Sequence, residues 1–162
     1  MELRDVLQKA IVPALQILPH GMDTPRARVM LLAIGLQESR FQYRRQIGGP
    51  ARGFWQFEEG TRQTRGGVYG VYLHDASRFW LDRLCASRGV QFLPDVIYRN
   101  LDQDDVLAAG VARLMLFTDP YRLPETDDVD GAWGLYRRVW NPGKPRPETW
   151  PDNHLLARGA AC

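Results

Sequence analysis

The chain of 162 residues is poor in the side chains that hold metals or form disulfides. It has two cysteines, Cys85 and Cys162, and three histidines that lie far apart in the sequence. None of these residues has the spacing of a metal site, and the cysteines offer no disulfide framework. We therefore expect no metal and no other cofactor.

Long hydrophobic runs are also missing. No apolar stretch approaches the roughly 18 residues that a helix needs to cross a bilayer. The first residues, Met1 to Asp5, lack the basic segment and apolar core of a secretory signal peptide. These absences predict a protein made in the cytoplasm, without stable membrane insertion.

A large excess of charge of either sign is absent as well. The net charge is +2, with 21 basic and 19 acidic residues, so we expect no nucleic-acid partner. Six arginines nevertheless crowd one stretch: Arg40, Arg44, Arg45, Arg52, Arg62 and Arg65. This patch either binds an anionic substrate or is a solvated face paired with Glu58 and Glu59.

The periodicity of the apolar residues predicts a single, mainly α domain over residues 1–162. The length and the 44% hydrophobic content are typical of one soluble globular domain. Five helices are predicted, over about 2–18, from 25 to about 39, over 74–88, from about 105 to 117, and from Thr126 or Asp127 to about Trp140. Two short helices are also predicted, one that begins within Gly60 to Arg65 and one at the end of the chain, anchored by Trp150. Core residues expected in the third and fourth helices include Phe79, Leu81, Leu84 and Phe117.

Glu38 is the candidate catalytic residue. Its helix should begin with Thr24 as N-cap and Pro25 in the first position, and it is apolar on nearly every side. Glu38 continues an apolar face at the negative end of the helix dipole, and both conditions raise the pKa of a carboxyl. A glutamic acid that stays protonated near neutral pH suits general acid catalysis. The alternative is a frayed helix end with Glu38 in solvent.

A glycine-rich loop and an aromatic strip follow this helix. Gly53-Phe54-Trp55-Gln56-Phe57 combines flat aromatic faces with one amide, a combination that suits a sugar. A second aromatic stripe, Trp133, Tyr136 and Trp140, lies on one face of a later helix. Trp133 is expected in the core, whereas Tyr136 and Trp140 have polar tips and lie near Asn141.

Three motifs together resemble the soluble lytic transglycosylases of the lysozyme superfamily. The stretch Leu36-Gln37-Glu38-Ser39, followed by Gly53-Phe54-Trp55-Gln56-Phe57 and Gly60-Thr61, looks like the Glu-Ser, Gly-Leu-Met-Gln and Gly-Thr signature of that family. Residues 140–145 are similar to its Tyr-Asn-x-Gly-Pro turn. Phe54-Trp55, Glu59 and Trp140 depart from the family's Leu-Met, proline and tyrosine.

The resemblance implies a lysozyme-like domain with a substrate cleft, and an enzyme of peptidoglycan degradation. Glu38 would act as the single acid and base, cleaving the β-1,4 bond between N-acetylmuramic acid and N-acetylglucosamine with 1,6-anhydromuramoyl ends. A hydrolytic lysozyme would instead need a second carboxylate, Glu58 or Glu59. A third hypothesis is a non-catalytic glycan-binding or virion module of the same fold. The predicted substrate-binding residues are Ser39, Trp55, Gln56, Phe57, Glu58, Glu59, Tyr136, Trp140 and Asn141.

The resemblance also implies partners and a place of action. The partners would be peptidoglycan glycan strands and other phage virion or lysis proteins. Without a signal peptide, such an enzyme fits a bacteriophage, as an endolysin released to the cell wall or as a virion component.

Overall fold

Helices make up the regular structure of residues 1–161, the part of the chain that the computed structural model describes; Cys162 lies outside it. The α-helices are α1 (Leu3–Val6), α2 (Val12–Ile17), α3 (Pro25–Ser39), α4 (Gly67–Tyr72), α5 (Asp75–Arg88), α6 (Pro94–Asn100), α7 (Asp105–Phe117), α8 (Val129–Trp140) and α9 (Trp150–Ala161). A π-helical segment, Leu7–Ile11, joins α1 to α2, and short 3₁₀ turns occupy His20–Met22 and Pro147–Thr149. Within these residues the only β-structure consists of isolated antiparallel bridges. The predicted mainly α class is confirmed.

Side-chain caps fix where the long helices begin. Thr24 Oγ1 accepts a hydrogen bond from the Ala27 amide at 3.1 Å, as its position before Pro25 predicts. Asp104 caps α7 in the same way. The start of α8 is capped by Asp128, whose carboxylate accepts a hydrogen bond from the Gly131 amide at 2.9 Å; this is two residues beyond the predicted Thr126 and one beyond the predicted Asp127.

Helix α3 is the buried centre of the fold. Its residues from Val29 to Gln37 are all buried, and its most extensive helix contact is with α9. Gly35 lets the chain fold back onto the helix, since a Cβ at this position would lie 2.0 Å from the Phe41 ring. The C-terminal end of α3, which carries Glu38, is thereby held in a fixed environment.

Several local predictions were wrong. Phe79 is 59% exposed, because it lies two residues before Leu81 and so points away from the face of α5 that buries Leu81 and Leu84. Phe117, expected on the inner face of α7, is 39% exposed at the end of that helix. The predicted helix from Gly60 is a turn, and α4 begins at Gly67 instead. Helix α6 was not predicted.

The described helices include none that is both long and apolar enough to traverse a bilayer.

Candidate functional site

Glu38 lies in the last turn of α3, at the wall of a pocket of about 740 Å³. The preceding residues of the helix are buried, and the side chain of Glu38 is itself mostly enclosed. After Ser39 the chain leaves the helix through Arg40 and Phe41, both in the left-handed region with φ near 55°. Two consecutive non-glycine residues in this region are uncommon, and such strain concentrates at functional sites.

Tyr136 is the main polar partner of the Glu38 carboxyl. Its hydroxyl donates to Glu38 Oε1 at 2.7 Å. The Tyr136 ring is 3% exposed and stacks on Trp150, with ring centroids 5.2 Å apart and an interplanar angle of 9°. This packing fixes the hydroxyl, so the carboxyl is held in one orientation.

The surroundings of Glu38 act on its pKa in opposite directions. Burial has the largest effect and raises the pKa above the ordinary value, whereas the Tyr136 hydrogen bond and the positive charge of Arg146 lower it. The net effect is a raised pKa of Glu38. Burial and the Glu38 charge also raise the pKa of Tyr136, so the phenol remains a hydrogen-bond donor.

The pocket brings together most of the predicted site residues. Seven of the ten line it: Glu38, Gln56, Phe57, Glu58, Tyr136, Trp140 and Asn141. They come from three separate parts of the chain, the end of α3, the loop after it, and the end of α8. Glu38 and Glu58 are the two carboxylates among the lining residues that the structure describes.

Gln56 is placed by a tight reversal of the chain. Arg52 and Phe57 exchange backbone hydrogen bonds of 2.8 and 2.9 Å, and between them Gln56 adopts φ 55°. Its side-chain amide donates to the Gly53 carbonyl at 2.8 Å. Trp140 closes the other side, because its indole nitrogen donates to the Trp55 carbonyl at 3.0 Å.

Three predicted substrate-binding residues do not line the pocket. Ser39 is fully buried, and its hydroxyl bonds the Phe54 carbonyl at 2.7 Å, which makes it a support for the loop. Trp55 is also fully buried, and its indole donates to the Leu31 carbonyl at 2.8 Å. Its faces are therefore unavailable for stacking on a ligand. Glu59 stays outside because its carbonyl bonds the Tyr69 amide, in the turn before α4.

Residues 141–149, here called the strap, form a wall of the pocket of which the sequence predicted only Asn141. Gln37, 4% exposed, donates from Nε2 to the Arg146 carbonyl at 3.0 Å. Its Oε1 accepts hydrogen bonds from Thr149 at 3.1 Å and Asn153 at 2.8 Å. A buried glutamine beside Glu38 was the available signal, but its partners lie more than 100 residues away in sequence.

Three of the six arginines of the patch, Arg44, Arg45 and Arg52, are paired, and their partners are aspartates. Arg44 makes two hydrogen bonds to Asp105, at 2.9 and 2.8 Å, and Arg45 is paired with Asp102. The alternative in which the patch is paired with Glu58 and Glu59 was therefore wrong. These bonds tie the loop after α3 to the start of α7. The cations that line the pocket are Lys144 and Arg146 of the strap, and neither makes an ion pair with a carboxylate of residues 1–161.

A protein-held metal site is not formed by the described part of the chain. Residues 1–161 contain no group of three His, Cys, Asp or Glu side chains that could hold a metal ion.

Two curated relatives are similar to part of the chain. Both are Ribonuclease VapC48 of Mycobacterium tuberculosis, from strains CDC 1551 / Oshkosh and ATCC 25618 / H37Rv. Each is 32% identical over 69 residues, which is 43% of this chain and 39% of the ribonuclease. The chain thus matches about two fifths of the length of these relatives. No protein-family model matches the chain, and no solved structure matches it.

This similarity contradicts the prediction of a lytic transglycosylase. The relatives are ribonucleases, and no match supports peptidoglycan cleavage, so the predicted family, enzyme class and function were wrong, together with the lysozyme and glycan-binding alternatives. The predicted peptidoglycan and phage partners, and the exclusion of nucleic acid, were wrong for the same reason. The resemblance rested on short motifs, which recur in unrelated proteins. The single domain, the site residues and the cellular location stay predictions.

Proposed function

We propose that this chain is an acid–base enzyme in which the Glu38 carboxyl donates a proton to the leaving oxygen of its substrate. The observation that carries the proposal is the setting of Glu38, a carboxyl of raised pKa at the wall of a 740 Å³ pocket. The Tyr136 hydroxyl donates a hydrogen bond to Oε1, so the proton of the Glu38 carboxyl would be on Oε2. In this proposal the pocket is the predicted substrate cleft.

The substrate class that we propose is RNA. The partly similar relatives are ribonucleases, and the strap places two cations, Lys144 and Arg146, at the pocket. Cations at this position would attract a phosphodiester and offset the negative charge that grows on its oxygens during cleavage. The low net charge of the whole chain does not oppose this, because the attraction is local.

Cleavage of RNA at such a site needs a proton donor and a proton acceptor. The ribose 2′ oxygen attacks phosphorus, a new P–O2′ bond forms, and the P–O5′ bond breaks. Glu38 gives its proton to the departing 5′ oxygen, and Glu58, the other carboxylate of the pocket, accepts the proton of the 2′ hydroxyl. The products are a 2′,3′-cyclic phosphate end and a 5′-hydroxyl end.

The test is digestion of single-stranded RNA, with the ends of the fragments identified by mass spectrometry. We expect 2′,3′-cyclic phosphate ends, also in the presence of EDTA. Glu38→Gln should lower the rate at least about 100-fold, because the amide cannot donate an acidic proton. Glu2→Gln, the same substitution at an exposed terminal residue, should leave the rate unchanged and controls for contaminating nucleases.

The outcomes test the role of Glu38 separately from the identity of the substrate. Equal cleavage by the wild-type chain and Glu38→Gln would overturn the role of Glu38. If RNA stays intact, the same comparison is made with a panel of other polymers joined through oxygen atoms. Cleavage of one of these that depends on Glu38 would keep the acid and overturn RNA as the substrate.

A further inference from the structure

A second pocket, of about 520 Å³, lies at the N-terminal end of α3. Glu38 is at the other end of the same helix, about 20 Å away at 1.5 Å per residue. The second pocket therefore does not belong to the site described above. Its polar lining residues are Thr24, Arg26, Arg113, Arg122, Glu125 and Thr126.

Arg113 is the unusual member of this set, because it is a buried cation without an acidic partner. It is 6% exposed, and its Nε donates to the Met22 carbonyl at 2.9 Å. This bond holds the guanidinium against the chain segment that enters α3. No carboxylate of the described residues lies within ion-pair distance. A buried charge is costly unless a counter-charge accompanies it.

The protonation of Arg113 is not in question at neutral pH. Burial lowers its pKa to about 10, and this value still leaves the guanidinium charged at pH 7. No nearby acid opposes the effect of burial. The pocket therefore has a positive charge that the described residues do not neutralise.

The other charged groups at the pocket leave an excess of positive charge. Arg26 is paired with Glu125, so these two charges offset each other. Arg122 makes no ion pair with a carboxylate of residues 1–161 and adds a second uncompensated cation. Beside the pocket, Asp23 is neutralised by two hydrogen bonds from Arg28, at 2.8 and 2.9 Å. The N-terminal end of α3 adds the positive end of a helix of 15 residues.

We propose that this pocket binds a phosphate group, held by the guanidinium groups of Arg113 and Arg122 at the N-terminal end of α3. Guanidinium groups bind phosphate oxygens with two N–H donors, which gives both charge and geometric fit. The hydroxyls of Thr24 and Thr126 are further donors at the wall. Inorganic phosphate and the end of a phosphomonoester are the two sources of such a group, and both present charged phosphate oxygens to the guanidinium groups.

The test measures binding of inorganic phosphate by isothermal titration calorimetry and by its effect on the melting temperature. Sodium chloride at matched ionic strength is the control for general salt effects. We expect saturable binding that weakens at least about tenfold in Arg122→Gln, because one charged donor is lost. Arg83→Gln, an exposed arginine of α5 far from this pocket in sequence, should bind as the wild-type chain does.

Arg113→Gln should abolish binding. If this variant does not fold, Arg122→Gln decides the question, because Arg122 is exposed and its substitution leaves the core intact. Displacement of phosphate by glycerol 2-phosphate would support the site and identify a phosphomonoester as its ligand. Phosphate binding that glycerol 2-phosphate does not displace would support the site as one for free phosphate. Absence of saturable binding at millimolar phosphate, or equal binding by wild type and Arg122→Gln, would overturn the proposal.

Discussion

At the scale of single residues, the properties of the site follow from the surroundings of Glu38. Burial raises the pKa of this carboxyl, while the Tyr136 hydroxyl and the Arg146 charge act against burial. These effects are separable by substitution, because each comes from a different side chain. The balance decides both the stability of the fold and the pH range in which Glu38 is an acid.

The first prediction concerns the stability of Glu38→Gln. In the unfolded chain Glu38 has its ordinary pKa, so raising the pH ionises it there first and favours unfolding. This cost of folding grows between the unfolded and the folded pKa and is constant above the latter. Glutamine removes the cost and still accepts the Tyr136 hydrogen bond. The melting temperature of the variant at pH 7 should be higher than that of the wild type, by about 2–4 °C for each 1 kcal/mol of this cost that the substitution removes.

The difference between the two melting temperatures should shrink as the pH falls below the ordinary glutamate pKa, because both folded and unfolded states then carry a neutral group. Thermal scans of both proteins between pH 3.5 and pH 8 measure it. A variant that is less stable than the wild type at pH 7 would show that Glu38 is ionised and stabilised in the folded protein.

The second prediction concerns the hydroxyl of Tyr136. Its hydrogen bond lowers the pKa of Glu38, so Tyr136→Phe should raise this pKa further. The matched control is Tyr43→Phe, since the Tyr43 hydroxyl donates to the backbone carbonyl of Glu38 at 2.9 Å and not to the carboxyl. NMR titration of the labelled Glu38 carboxyl measures both. An equal rise of the Glu38 pKa in the two variants would mean that general repacking causes the effect, and not the loss of the hydrogen bond to the carboxyl.

At the scale of elements, the pocket depends on how the strap is fixed to α3. The side chain of Gln37 joins the strap and α9 to the helix that carries Glu38, through the Arg146 carbonyl, Thr149 and Asn153. The side chain of Arg146 adds a bond to the Gln37 carbonyl at 3.3 Å. One buried amide therefore holds both the wall of the pocket and its cations.

The third prediction is that Gln37→Ala loosens the strap. The substitution removes three side-chain hydrogen bonds and leaves the buried Asn153 amide without its Gln37 partner, at a cost of about 1–3 kcal/mol. We expect a lower melting temperature and faster cleavage by subtilisin between residues 141 and 149. Gln103→Ala, at an exposed glutamine, is the control and should change neither. An unchanged cleavage rate in Gln37→Ala would show that other contacts hold the strap.

At the scale of the whole molecule, the sequence predicted what depends on local order and missed what depends on distant contacts. Apolar periodicity and caps located α3, α5 and α7, and the position of Glu38 indicated its raised pKa. Gln37 and Arg146 were missed because their partners are far away in sequence. Trp55 was assigned to the substrate because an aromatic strip gives no sign of which faces the fold buries.

The distribution of charge over the molecule leads to the fourth prediction. Arg44 and Arg45 of the loop after α3 are paired with aspartates, whereas Lys144 and Arg146 line the pocket and are not paired, so RNA at the pocket should contact the strap more than these two loop arginines. The test measures the affinity of single-stranded RNA for the Glu38→Gln chain by fluorescence anisotropy at several salt concentrations. The slope of log affinity against log salt is negative, and Lys144→Gln should make it shallower by about 0.7, the value for one phosphate contact on a single strand.

The matched control for this prediction is Arg45→Gln, which also removes one positive charge. Because the Arg45 guanidinium is already paired with Asp102, its loss should leave the slope nearly unchanged. The comparison holds the change in net charge constant and varies only its place in the fold. A slope that becomes as much shallower in Arg45→Gln as in Lys144→Gln would mean that the aspartates release the loop arginines to RNA. The polymer would then lie across the loop after α3, and the cations of the strap would not select its path.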